Sequence, residues 1–157
     1  GNIKKQSNRK TIFLYQGNTS WMSSTPMEYL HMCRAAQWCK NGDKALVGGL
    51  GLGLLPLLIE KKSSEIDVVE INPDVINLVW KYIKTNNMVI IQNDIENYLS
   101  QTSKKNNYIF LDTWATADYL NLVYITKLKD KAKKILLPKG KVICWAESIM
   151  KEELKKE

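Results

Sequence analysis

The chain has 157 residues, 45% of them hydrophobic, and 23 Lys and Arg against 16 Asp and Glu give it a formal net charge of +7. That length suits one domain able to bury roughly two-thirds of its unfolded surface. The longest apolar run, residues 45–59, is broken by four glycines and a proline, which excludes a spanning helix, and the polar residues 1–10 lack the apolar stretch of a secretion signal, so a cytoplasmic location is expected.

Residues 1–10 read as a flexible polar N-terminus. Residues 11–16 and 19–23, separated by Gly17-Asn18, have the pattern of a β-hairpin, because Gly and Asn tolerate the positive φ of a tight turn. Ser24-Thr25-Pro26 opens a helix through Cys39, whose spacing predicts a buried face of Leu30 or His31, the Arg34 stem and Trp38. From residue 41 onward, short apolar runs alternate with amphipathic stretches, the pattern of a parallel sheet flanked by helices. Strands are expected at 44–48, 66–70, 88–92, 108–112 and 141–146, with Pro138-Lys139-Gly140 as a turn before the last. Helices are expected at about 52–61, 72–85, 94–101 and 117–131, and from Ser148 onward; Asn72 suits an N-cap and Pro73 a first turn, where its missing N–H costs nothing. A hairpin-and-helix segment, 11–40, thus precedes a Rossmann-like, doubly wound α/β unit, 41–157, of about five mainly parallel strands in the order 3-2-1-4-5.

Cys33, Cys39 and Cys144 have no CxxC spacing and read as buried free thiols, not as a disulfide frame. His31 is the one histidine, so no metal site is expected. Lysines gather near 4–10, 127–134 and 151–156 with little aromatic interleaving. Solvated faces explain them better than a nucleic-acid footprint, so charge allows a nucleic-acid partner without favouring one.

The turn Gly48-Gly49-Leu50-Gly51-Leu52-Gly53 follows the first parallel strand. Its glycines let backbone pass close to a ligand and aim the next helix's N–H groups at it. Tight strand-to-helix packing is their other use. Glu70 ends the second strand, 17 residues after Gly53, where a carboxylate can accept hydrogen bonds from both ribose hydroxyls of a nucleoside; a solvated strand end is the alternative. Leu54 stands where the dinucleotide fingerprint needs its last glycine, and no Gly-Lys-Ser/Thr ending marks a P-loop.

The blocks ALVGGLGLG at 45–53, VVEINPDVINLVWKY at 68–82, VIIQNDIENYL at 89–99 and YIFLDTWATAD at 108–118 run in an order that resembles the class I S-adenosylmethionine-dependent methyltransferases, and more particularly their spermidine synthase-like branch. LYQGNTSW followed by PMEYLHM is similar to the hairpin and helix that precede the nucleotide domain there, so the resemblance spans about residues 11–146. It implies S-adenosylmethionine as the cofactor. Backbone at Gly48, Gly49, Leu50 and Gly51 would wrap its methionine part, Glu70 would hold the ribose, and Asp94 the adenine amino group, with Ile71 and Ile95 against the ring. Asp112 would face the methionine end or the incoming nucleophile as the catalytic residue, and residues 113–116 would line the acceptor pocket. Beside these roles stand plainer ones: Asp94 as a helix N-cap, Asp112 as a solvated strand end, Trp114 as core.

The chain departs from the family at Val47, where many methyltransferases carry an acid, at Gly51, where spermidine synthases have Asp, and at Ala115, in place of their second Asp three residues after the first. A diamine site is therefore not expected, and the basic composition argues the same way, since a polyamine pocket should be acidic. Methyl transfer to an unidentified acceptor is the leading expectation; aminopropyl transfer and a catalytically silent nucleotide-binding module are the alternatives. The strands that usually follow the fifth are expected to be missing, leaving an edge suited to a partner or a homodimer.

Overall fold

Runs of Val, Ile and Leu that are apolar on both faces build the centre of the molecule. In the computed structural model, which describes residues 3–7 and 11–156, they form a five-stranded parallel sheet. Its strands are β4 (Lys44–Gly48), β5 (Glu65–Glu70), β6 (Met88–Gln92), β7 (Asn106–Leu111) and β8 (Leu136–Cys144), after an antiparallel sheet of β1 (Ile3–Ser7), β2 (Ile12–Gln16) and β3 (Thr19–Ser23). The parallel strands lie in the order β6-β5-β4-β7-β8, the expected 3-2-1-4-5. Strand order reverses at β4, which opens a crevice at the carboxyl ends of β4 and β7.

Side chains alternate along each strand and divide the core in two. Ala45, Val47, Ile66, Val68, Tyr108 and Phe110 pack with α1 (Pro26–Ala36), α2 (Leu54–Ile59) and α3 (Pro73–Ile83). Leu46, Val69, Ile109 and Leu111 pack with α4 (Ile95–Gln101), α5 (Leu122–Lys133) and α6 (Glu147–Leu154). Burying each such Val, Leu or Ile contributes about 1.5–3 kcal/mol, so this double-sided core fixes the strand ends that carry the site.

The caps are local. Asn72 accepts from the Asp74 N–H at 2.9 Å, with Pro73 in the first turn of α3. Thr25 caps α1 through the Glu28 N–H, while the Glu28 carboxylate reaches back to the N–H and hydroxyl of Ser23. This reciprocal arrangement, a variant of the capping box, ties α1 to β3.

The structure departs from expectation in several places. Within the stretch read as flexible, residues 3–7 form β1, paired antiparallel with β2 from Ile3↔Gln16 to Ser7↔Ile12; residues 1, 2 and 8–10 lie outside the described residues. An edge strand tolerates the polar composition that argued against it, and the Lys5 ammonium sits 4.9 Å from the centroid of the Tyr82 ring on α3. Helix α1 buries Met32, Ala35 and Ala36, not Leu30, Arg34 and Trp38, because small side chains allow close approach to the sheet and Tyr108 donates its buried hydroxyl to the Ala35 carbonyl at 3.0 Å. β8 begins at Leu136, and Pro138-Lys139-Gly140 is a bulge within it: pairing advances from Asn106 to Tyr108 on β7 while β8 advances from Leu136 to Lys141, and Lys139 has φ 63°. The helix expected at 117–131 splits into a 3-10 turn, Tyr119–Asn121, capped by Asp118, followed by α5.

Candidate functional site

The carboxyl ends of the parallel strands open into a cleft of about 480 Å³, within the usual range for small-molecule sites. Its floor is the glycine turn. Gly49 has φ 99°, and a Cβ there would collide with the backbone carbonyl of Asp112, so no other residue fits without moving β7. The Gly49 N–H donates to the Val69 carbonyl and the Asp112 N–H to the Gly48 carbonyl, each at 2.8 Å, which ties three strand ends together at one point.

Glu70 reinforces that junction. Its carboxylate accepts from the Leu50 N–H and the Asn72 N–H, both at 2.9 Å, bridging the turns after β4 and β5. An ionised carboxylate has about four acceptor positions, so two remain for a ligand. Asp94 caps α4 by accepting from the Asn97 N–H at 3.0 Å and also lines the cleft, so the plainer role and the binding role are compatible. Ile95 is buried beside Gly48, while Ile71, 62% exposed, stands at the rim.

Asp112 lies at the inner end. Burial pushes its carboxyl up to about 7, and the negative charges of Glu28 and Glu70 act in the same direction. Near neutral pH the group therefore holds and releases a proton with comparable ease. Trp114 also lines the cleft; it is 7% exposed, and its indole N–H has no acceptor among the described residues.

The expected residues Gly49, Leu50, Gly51, Glu70, Ile71, Asp94, Ile95 and Asp112 thus come together around one space, with Gly48 directly behind it. Sequence reasoning missed the other wall, which the N-terminal sheet, α1 and the segment after β8 provide through Trp21, Met22, Glu28 and Trp145. Met22 Sδ packs on Gly51 and accepts the Leu52 N–H at 3.1 Å. A legible signal existed for Glu28, three residues after Thr25 in a capping-box spacing. None existed for Met22.

Charge in the cleft is opposite to that of the whole chain. Glu28, Glu70, Asp94 and Asp112 line it, and among the described residues no Lys, Arg or His does. The expectation drawn from the basic composition is corrected: the described lysines and arginines sit outside the cleft, so net charge does not describe it.

No family model matches this chain, and no curated protein matches it. Solved structures of similar fold include precorrin-8w decarboxylase from Methanobacterium thermoautotrophicum, 14% identical over 84% of this chain and 69% of that one, with a TM-score of 0.63. They also include the N-methyltransferase NodS from Bradyrhizobium japonicum WM9, 14% identical over 85% and 83%, TM-score 0.64. Human methyltransferase-like protein 13 in complex with SAH is 22% identical over 82% and 68%, TM-score 0.55. The chain has the Rossmann-like fold that these structures share. Among the described residues no helix is long and apolar enough to cross a membrane.

Proposed function

We propose that this chain is an S-adenosylmethionine-dependent methyltransferase acting on a small acceptor. The observation that carries the reading is the convergence of the Gly49 turn, Glu70, Asp94 and Asp112 on one cleft. The residues suit the cofactor. Glu70 keeps two acceptor positions for ribose hydroxyls after its two backbone bonds, Asp94 is held at the adenine end, and Ile71 and Ile95 offer apolar contact to a ring. The close approach of Gly49 to Asp112 leaves backbone where a side chain would otherwise fill the space.

When bound, the cofactor supplies an electrophilic methyl group on a cationic sulfur, and a cleft whose charged residues, among those described, are all acids favours that charge. Glu70 and Asp94 orient the nucleoside, which places the reacting end toward Asp112. Asp112, titrating near 7, accepts a proton from the acceptor. The N-terminal sheet and α1 over the cleft support kinship with the spermidine synthase-like branch. The acidity of the cleft favours a second reading, aminopropyl transfer, against which stands Ala115, exposed and without a second carboxylate.

Calorimetry with S-adenosylmethionine and S-adenosylhomocysteine tests the first step. One-to-one binding is expected, weakened about tenfold to a hundredfold by Glu70→Ala in a folded variant, since hydrogen bonds to charged groups contribute about 1.5–3 kcal/mol each. Absence of binding by the unaltered protein overturns the reading. Product analysis separates the two transfers: S-adenosylhomocysteine reports methyl transfer and methylthioadenosine aminopropyl transfer.

A further inference from the structure

We infer that the acceptor taken by this cleft is a compact organic monoamine, its ammonium held by Glu28 and Asp112 and its body by Trp21, Trp114 and Trp145. The inference gives a substrate class to the methyltransferase reading and rests on that reading only for the word acceptor. Its binding half stands alone.

The four acids of the cleft divide by the elements that carry them. Glu70 and Asp94 are held by backbone N–H groups at the turns after β5 and β6, on the nucleoside side. Glu28, on α1, is tied to Ser23, and Asp112 follows β7 at the inner end. Both Ser23 donors go to one oxygen of Glu28, Oε2, and its other oxygen has no partner among the described residues. The side chain of Asp112 has none either, although the charges of Glu28 and Glu70 bear on it. Two carboxylates that repel one another across a partly dehydrated space leave an electrostatic cost that a single bound cation removes.

A second observation is independent of charge. Trp114 is more than nine-tenths buried in the wall of this end of the cleft, and its indole N–H has no acceptor among the described residues. A buried donor without an acceptor costs about 1–3 kcal/mol, which a ligand oxygen or an enclosed water offsets. The site is therefore built to be completed by a polar molecule. The faces of Trp21 and Trp145, from β3 and from the residue after β8, add apolar area and a surface that attracts ammonium groups.

Other acceptor classes fit less well. A phosphate-bearing acceptor, nucleic acid included, meets four acids and, among the described residues, no cation in the cleft. A diamine finds an anchor for one ammonium, but among the described residues the cleft has no acid beyond these four for its second, and Ala115 stands at the rim. In the bound amine, Asp112 takes one proton from the ammonium nitrogen, leaving a neutral amine with a free lone pair and a protonated carboxyl.

The test is calorimetry on the full chain, with and without S-adenosylhomocysteine, using 2-phenylethylamine, 2-amino-1-phenylethanol, 2-phenylethanol, putrescine and phenyl phosphate as probes. The two monoamines are expected to bind at least tenfold more tightly than 2-phenylethanol and phenyl phosphate, and no more weakly than putrescine. Glu28→Gln keeps an oxygen for Ser23, so α1 stays capped, and is expected to weaken monoamine binding at least fivefold while leaving the S-adenosylhomocysteine titration unchanged. Asp112→Asn is the second variant and is expected to weaken monoamine binding at least fivefold as well, with circular dichroism confirming both folds. The inference is overturned if the alcohol or the phosphate matches the amines, if putrescine binds tenfold more tightly than either, or if both variants keep the amine affinity. A protein that binds S-adenosylhomocysteine but no monoamine also overturns it and leaves the methyltransferase reading standing, whereas failure of the S-adenosylhomocysteine titration overturns only that reading.

Discussion

In the parallel sheet both faces are covered, and Leu46, Val47, Ile66, Val68, Ile109 and Leu111 are all 1% exposed or less; in β2 and β3 of the N-terminal sheet only Leu14 and Ser23 are buried. Both regions nevertheless wall the same cleft. The first supplies fixed strand ends and the glycine turn, on which the proposed cofactor site rests. The second supplies Trp21 and Met22 and, through its tie to α1, Glu28, side chains with exposed or half-buried surface. The division suggests that the parallel sheet sets what activates the reaction and the N-terminal sheet sets what is accepted, and substitutions on either side can break that division.

The largest expected effect is Gly49→Ala. With φ at 99° and the Asp112 carbonyl in the path of a Cβ, the variant must move β7 or the turn, at a cost of about 2–4 kcal/mol. Urea denaturation should show that loss, and calorimetry should show S-adenosylhomocysteine binding abolished. At Gly51 the atom in the way is Met22 Sδ, the movable part of a side chain from the other sheet, so Gly51→Ala should cost about half as much. A Gly49→Ala variant that binds normally would place the cofactor elsewhere.

Asp112→Asn acts next in size and with a sign that depends on pH. The carboxyl titrates at its ordinary 3.8 when unfolded and at about 7 when folded, so the folded state holds the proton more tightly. Its contribution to stability is full below about pH 4 and is lost as pH rises through 7. The Asn variant escapes that loss. It should be about 1–3 kcal/mol more stable than the unaltered protein at pH 8, with the difference shrinking toward pH 4, while turnover falls by about a hundredfold or more. Activity of the unaltered protein should rise with pH through about 7. A variant equally stable at both pH values would show that Asp112 is not strained in the folded state.

What the sequence discloses follows the same division between the sheets. Strand order, the glycine turn and Glu70 were legible because buried parallel strands are written as unbroken apolar runs ending in residues that backbone geometry or hydrogen bonding demands. β1 was not, since Ile-Lys-Lys-Gln-Ser at an edge has the composition of a loop. The buried face of α1 was misassigned because Trp38 carries far more apolar area than Ala35 or Ala36. Here the small residues pack, while Trp38 stays 47% exposed with the Lys141 ammonium 3.9 Å from its ring centroid. The acidity of the cleft was hidden for a different reason: net charge averages over a surface, and the four acids come from α1, β5 and the segments after β6 and β7, which only the fold brings together.

The smallest effect tests where the two sheets meet. Met22 Sδ accepts the Leu52 N–H at 3.1 Å, a contact in which a thioether from β3 occupies a donor of the turn. Met22→Leu keeps the volume and removes the acceptor, so urea denaturation should show a loss of about 0.5–1 kcal/mol. If the N-terminal sheet serves the acceptor alone, S-adenosylhomocysteine affinity should stay within about threefold, or rise as the freed N–H becomes available to the ligand, because a difference near 0.6 kcal/mol is all that such a weak sulfur bond can impose. A fall of tenfold or more would mean that Met22 holds the glycine turn in its binding shape, and that the antiparallel sheet shares in cofactor binding instead of only covering the acceptor.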